Sequence, residues 1–366
     1  MGRNNDRISS VQLAMILSVS IIGVGILSLP RSVAEAAGPD AWILVLMGTL
    51  MILIIALVIS KIVTKFQQKT MIEFSEIIVG KPIGILITIG FSIYGIIFAA
   101  VEARLCAEVI KEYLLFNTPT EVIMVTLLLV SVYLVRSGIE PIARMAQIIF
   151  PIVTIIAILL IIPVLPEIDW THFLPVLKTP ILKLIKSLPV VILSFIGIEL
   201  ALVFSTFVID TKNIKKNMYI TVGLVAMVYF FIVSITIARF GIQETIHITW
   251  PTLELFKTVD IPGAFVENIE IFVIAIWILS VFMTLVSWYF SASLTISWVL
   301  KVKEQKYFVL PLIPIIYYLA LLPDNLAQAM DYVDRFVNYF GIFYMIVLPI
   351  VLLGISAIRK GGRKGA

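Results

Sequence analysis

The chain has 366 residues, 61% hydrophobic and 14% charged, with a net charge of +4 and a mean hydropathy of +1.10. A soluble domain of this size has no use for so much apolar surface. Runs of about 20 apolar residues recur along the whole length, so the composition reads as a polytopic α-helical membrane protein. It excludes the alternating short segments of a membrane β-barrel, and the lack of a P-loop pattern removes ATP-driven transport. The one cysteine, Cys106, rules out an internal disulfide and reads as a packing residue in an apolar segment.

In chain order the sequence predicts ten spans: 9–36, 40–63, 82–114, 120–136, 142–163, 184–209, 216–240, 264–300, 307–322 and 334–358. Arg3 and Arg7 precede the first apolar run, and Ala34-Glu35-Ala36 has the look of a signal-peptide cleavage site. The length of that run, its two glycines and the intervening Pro30-Arg31 favour a retained span instead. The third and eighth spans are too long to cross upright. At 1.5 Å per residue a helix of roughly 33 residues is about 50 Å long, against a hydrocarbon core of about 30 Å, so both must tilt or project.

Basic residues set the orientation. Most of the 27 Lys and Arg fall on one side: Arg3 and Arg7, Lys61 to Lys81, Arg136 and Arg144, Lys212 to Lys216, Lys301 to Lys306, and Arg359 to Lys364. The positive-inside bias then makes both termini cytoplasmic. It also explains the net positive charge through topology, without any nucleic-acid partner. The outer side holds two longer loops, 164–183 and 241–263, with Trp170, Trp250, His172 and His247. Two isolated histidines in separate loops read as surface residues, not as metal ligands. The loops themselves suit a lid or a docking surface for another subunit.

Ten spans divide into five and five, 1–163 and 164–366. An odd number per half places the halves in opposite topology, the arithmetic of an inverted repeat. Two similar stretches open the two halves: Ser20-Ile21-Ile22-Gly23-Val24-Gly25-Ile26 and Ser194-Phe195-Ile196-Gly197-Ile198-Glu199-Leu200. Glycine in the middle of an apolar span marks either close helix packing or an interruption, which lipid tolerates only beside a cavity or a site. The duplication favours interruption. The sequence thus predicts an all-α, LeuT-like membrane fold with broken first and sixth helices. An interruption at Gly23–Gly25 aims the amides of Gly23, Val24, Gly25 and Ile26 at mid-membrane, and one at Ile196–Gly197 leaves carbonyls near Phe195 and Ile196. A zwitterion fits, with its carboxylate on the amides and its ammonium on the carbonyls.

Glu199 stands where the first copy has Gly25. A carboxylate in a membrane span is costly and usually functional. Three functional roles compete: counter-ion for a substrate ammonium, proton carrier, or partner of a buried arginine; helix capping is the structural alternative. The eighth span carries Ser280, Thr284, Ser287, Ser291 and Thr295 on one helical face. That stripe can line a polar path, through Thr284, Ser287 and Ser291, or join two helices. In the third span Tyr94, Phe98 and Val101 form a stripe suited to the apolar wall of a pocket. Glu102, Arg104 and Glu108 read, by depth from Lys81, as an outer vestibule or subunit contact, with Arg104 and Glu108 paired at i,i+4. No catalytic constellation and no cofactor motif accompany these residues, so the chain does not read as an enzyme.

The opening Ile8-Ser9-Ser10-Val11-Gln12, followed by Gly23-Val24-Gly25-Ile26-Leu27-Ser28-Leu29-Pro30, resembles the B subunit of spore germinant receptors, within the amino acid–polyamine–organocation transporter superfamily. Thr70-Met71-Ile72-Glu73-Phe74 before Gly80-Lys81 is similar to the family's connection between the second and third spans. Trp250-Pro251-Thr252-Leu253-Glu254-Leu255, Ile261-Pro262-Gly263 and Glu267-Asn268-Ile269-Glu270 are similar to its loop between the seventh and eighth, although Asn268 stands where the family often has Arg. The resemblance runs from residue 8 to about 358. It implies a role in germination, sensing amino acids, sugars or nucleosides in the spore inner membrane beside a membrane-anchored A subunit and a lipoprotein C subunit. Three functions fit the chain: nutrient receptor, proton-coupled amino-acid permease, and ion channel.

Overall fold

The computed structural model describes residues 7–257 and 269–362. The patches Ile261–Gly263 and Glu267–Asn268, and the terminal Arg3, Arg363 and Lys364, lie outside the described residues. Every regular element is helical. Chain order gives α1 (Ser10–Ile21), α2 (Gly25–Ala37), α3 (Ala41–Lys65), α4 (Met71–Val79), α5 (Lys81–Tyr113), α6 (Thr120–Arg136), α7 (Ile139–Ile161), α8 (Ile181–Leu193) and the short α9 (Ala201–Phe204). There follow α10 (Ile214–His247), α11 (Pro251–Lys257), α12 (Ile269–Val299), α13 (Lys306–Leu321), α14 (Leu326–Phe336), a wider-wound π segment at Val337–Val347, and α15 (Leu348–Gly362).

Local chemistry explains several of these boundaries. Ser9 and Gln12 form a reciprocal capping box at the start of α1, and Thr70 and Glu73 do the same for α4. Gly80 and Gly138, at φ 93° and 94°, turn the chain into α5 and α7 with a backbone that a side chain would strain. Leucines such as Leu50, Leu86 and Leu129 are more than half exposed. Many hydroxyl groups, those of Ser20, Thr88, Ser280, Ser287 and Thr295 among them, sit inside, as a protein with a hydrocarbon surround requires.

Among the described residues six helical stretches are long and apolar enough to span a membrane, or up to seven when the bent pair Ile181–Leu193 and Ile198–Phe207, angled at 54°, is taken as one. The ten-span reading of the sequence also counts α6 and α13, which are shorter at 17 and 16 residues, and joins the 12-residue α1 to α2 as its first span. It further separates α2 from α3, which follow each other across a tight turn at Gly38–Asp40.

The centre of the bundle is α1, α5, α10 and α12. α12 runs along α5, α10 along α3 and α2, and α1 against α7, α10 and α12. One end of α1 is fastened firmly. Ile8 pairs with Val208 through Ile8 N to Phe207 O at 3.0 Å and Ile209 N to Ile8 O at 3.1 Å. Asp210 accepts from Ser10 N at 2.6 Å and Ser10 Oγ at 2.5 Å, and Asn217 Nδ2 donates to Ser10 Oγ at 2.7 Å.

Candidate ligand site at two chain interruptions

α1 stops at Ile21, and α2 starts at Gly25. Ile22 has a non-helical backbone (φ −82°, ψ 62°). The carbonyls freed there must find donors in the absence of water, and neighbouring side chains supply them. Ser280 Oγ reaches Ile22 O at 2.6 Å, Thr284 Oγ1 reaches Val19 O at 3.2 Å, and Trp277 Nε1 reaches Gly23 O at 3.3 Å. Thr252 Oγ1, from α11, donates to Ile26 O at 2.8 Å. The hydroxyl stripe of α12 is therefore joinery at Ser280 and Thr284. Thr295 continues it by accepting from Ser92 Oγ at 2.8 Å. Between them, Ser287 Oγ and Ser291 Oγ are buried without a partner among the described residues.

The second interruption lies at Ser194–Gly197. Gly197 has φ 117°, and a Cβ there would stand 3.0 Å from Ser20 O, so both conformation and close approach to α1 require glycine. Tyr229 links the two interruptions: its hydroxyl lies 3.0 Å from Ile21 O and 2.9 Å from Ser194 O and donates to one of them at a time. Glu199 is fully buried and satisfied internally. Its Oε1 accepts from Tyr94 OH at 2.7 Å and its Oε2 from Gly197 N at 2.9 Å. Of the roles open to it in the sequence, this geometry is capping: the carboxylate takes the amide that the interruption frees.

Beside the interruptions opens a cavity of about 880 Å³. Of the residues singled out in the sequence, Ser20, Gly23, Val24, Gly25, Phe98, Val101 and Ile196 line it. A Cβ on Gly25 would meet nothing within 4 Å, so this glycine faces open space. Tyr94, Phe195, Glu199, Thr284, Ser287 and Ser291 are buried behind that wall, and Ile26 and Gly197 are not among its lining residues. Phe195 packs edge-on against Tyr229, and Tyr94 sits among Phe91, Trp288 and Tyr344. Arg104 and Glu108 do pair, at 2.8 Å.

Glu102 departs from its expected place. Depth counted from Lys81 put it in an outer vestibule, yet it reaches the interruption of α1–α2, where Val24 N donates to its Oε2 at 3.4 Å. It is only 4% exposed, and it forms part of the cavity wall. The rim was also missed. It is made by the ion pair of Arg31 and Glu35 (2.9 Å) and by Asp331 and Asp334 of α14, while Trp250, buried in the wall, donates from Nε1 to Glu112 at 3.1 Å. Asp331, Asp334 and Arg335, just ahead of the apolar run from Phe336 on, were the available signal for α14.

The family model for spore germination proteins matches residues 7–329. The chain belongs to the spore germination protein family. It is 33% identical to spore germination protein YndE of Bacillus subtilis (strain 168), over 98% of this chain and 99% of that one. It is 30% identical to spore germination protein A2 of the same organism, over 97% and 96%, and 25% identical to spore germination protein GerLB of Bacillus cereus, over 98% and 97%. Among solved structures the chain is similar to a Na⁺-coupled sialic acid symporter (TM-score 0.67, 16% identity, 95% of this chain and 80% of that one). It is equally similar to MhsT in complex with L-phenylalanine (TM-score 0.67, 16% identity, 95% and 97%). These likenesses give the fold: an all-helical, LeuT-like transporter architecture in an integral membrane protein of a spore germination permease family.

Proposed function

We propose that this chain is the nutrient-sensing membrane subunit of a spore germination receptor, with the cavity beside the two interruptions holding a small nutrient, an amino acid by preference. The observation that carries this reading is the cavity itself. Its volume suits a small metabolite, backbone from the α1–α2 interruption forms part of its wall, and its rim residues Arg31, Glu35 and Asp331 reach solvent. On this reading the ten spans form two inverted five-span repeats, 1–163 and 164–366. α1–α2 is then a broken first span, and α8 with the chain through Phe207 a broken sixth. The protein sits in the lipid bilayer of the spore inner membrane with both termini cytoplasmic. Its partners are an A subunit and a lipoprotein C subunit. Nutrient shifts the conformational equilibrium by binding one state more tightly than another, and the partners read that shift.

Calorimetric binding to purified protein in lipid nanodiscs, across amino acids, sugars and nucleosides, tests the reading. One class binds wild type, and Gly25→Leu, which projects into the cavity, abolishes that binding while the thermal transition persists. A Gly25→Leu protein with unchanged affinity refutes the placement.

One further observation favours a permease. The symporter-like fold is joined to a cavity beside one end of α1, while the other end of α1 is fastened by the Ile8–Val208 pairing and the Ser10–Asp210–Asn217 network. That is one face of an alternating-access cycle. Accumulation of labelled amino acid into proteoliposomes down a proton gradient separates permease from pure receptor.

A further inference from the structure

We infer that Glu102 sets the specificity of this cavity and selects ligands that present a cationic amine, not a free carboxylate, to the α1–α2 interruption. The inference rests on the cavity being the ligand site. The amides at the start of α2 are where a ligand carboxylate would be expected to dock. That seat is already taken. The Glu102 carboxyl lies against Gly23 so closely that a Cβ on this glycine would stand 2.8 Å from Oε1 and 3.1 Å from Oε2. Among the described residues its one hydrogen bond is the 3.4 Å contact from Val24 N to Oε2, at the long limit for N–H···O, and Oε1 has none. Glu102 is thus a nearly buried acid on a cavity wall with unused acceptor capacity.

A second carboxylate brought to the same amides would meet the first at close range in a low-dielectric site, where like charges repel strongly. An ammonium would supply the donors that Oε1 lacks. The rest of the cavity has the same polarity. Glu35, Asp331 and Asp334 line it along with Glu102, and its one cationic lining residue, Arg31, is held by Glu35. Such a cleft concentrates cations. Phe98, Val101 and Ile196 leave an apolar wall for the ligand's side chain. An amino acid therefore enters with its ammonium toward Gly23 and Glu102 and its carboxylate toward the rim, the reverse of the order expected from the helix poles alone.

The test uses matched probes on the full chain in nanodiscs. L-amino acid amides keep the ammonium and lack the carboxylate; N-acetyl-L-amino acids keep the carboxylate and lack the ammonium. The amides bind wild type, and Glu102→Gln weakens them about 10- to 100-fold, the usual worth of a hydrogen bond to a charged group. The N-acetyl acids do not bind wild type. Glu102→Asp, which keeps the charge, retains the preference for amides and serves if the Gln variant fails to fold. Binding of N-acetyl acids and not amides, abolished by Gly25→Leu, overturns the inference and leaves the cavity as the nutrient site. Equal binding of amides to wild type and a folded Glu102→Gln also overturns it. If no probe and no free amino acid binds, both the inference and the cavity assignment fall.

Discussion

Gly197→Ala should destabilise the protein, and Gly25→Ala should not, although both glycines belong to the repeated motif. At position 197 two costs combine. The backbone has φ 117°, where a side chain is strained by about 1–3 kcal/mol. The added methyl would also stand 3.0 Å from Ser20 O and 3.3 Å from Ile21 Cγ1. The nearer of these is backbone of a packed helix and cannot rotate aside, so overpacking adds about 1–3 kcal/mol. With partial relaxation the total is about 2–5 kcal/mol. At roughly 2 °C per kcal/mol for a large chain, this is a fall of about 4–10 °C in the apparent Tm. At position 25 the new methyl meets nothing within 4 Å, and the residue opens a helix, where alanine is favoured over glycine by up to about 1 kcal/mol. Tryptophan-fluorescence melting of detergent-solubilised variants reads both. A Gly197→Ala protein as stable as wild type, or a Gly25→Ala protein equally damaged, refutes the argument that one glycine is required by the crossing of two chain interruptions and the other only by the cavity.

Tyr229→Phe removes the donor shared by Ile21 O and Ser194 O, so it should cost about 1–3 kcal/mol in melting experiments. Ser280→Ala should do the same through Ile22 O. Tyr94→Phe leaves Glu199 Oε1 without its donor and should lower the Tm more than it changes ligand affinity, since neither residue lines the cavity. Asp210 is partly desolvated, which alone would raise its carboxyl, but hydrogen bonds from Ser10 and Asn213 outweigh this and hold it below the usual carboxylate range. A depressed folded-state value means that its contribution is present above about pH 4, the unfolded value, and is lost as pH falls through the folded one. The Tm difference between wild type and Asp210→Asn should therefore shrink as the pH is lowered from 6 toward about 3, and a constant difference contradicts it.

The interruptions were legible because glycine within a long apolar run is a strong local signal, and its repetition in Ser20–Ile26 and Ser194–Leu200 made it stronger. The stripe from Ser280 to Thr295 was legible as a face. Its role was not, because a hydroxyl's task depends on which carbonyls lie opposite, and Val19 and Ile22 are over 250 residues away in the chain. Tyr229 gave no signal: one tyrosine in an apolar span has no pattern. Glu102 was seen but its contact with Val24 was not, since counting along α5 from Lys81 took no account of where α1–α2 crosses that 33-residue helix.

The two interruptions use the same chemistry to different ends. Each frees a backbone amide, and each is answered by a carboxylate: Gly197 N by Glu199, Val24 N by Glu102. Glu199 sits two residues from its amide, makes a 2.9 Å bond, and has its other oxygen taken by Tyr94. It is wholly buried, so a ligand gains nothing by competing for it. Glu102 arrives from another helix, makes one long bond, and keeps an oxygen without a partner among the described residues on a cavity wall. Its exchange of a weak internal donor for a ligand's ammonium lowers the free energy of the bound state alone. The same exchange would release Val24 N and the start of α2, the element that also carries Arg31 and Glu35 at the rim. Glu102 at the interruption and the Arg31–Glu35 pair at the rim are thereby joined through one 13-residue helix. Ligand should then speed hydrogen exchange at the first amides of α2 in wild type and not in Glu102→Gln, and an equal rise in that variant would break the coupling.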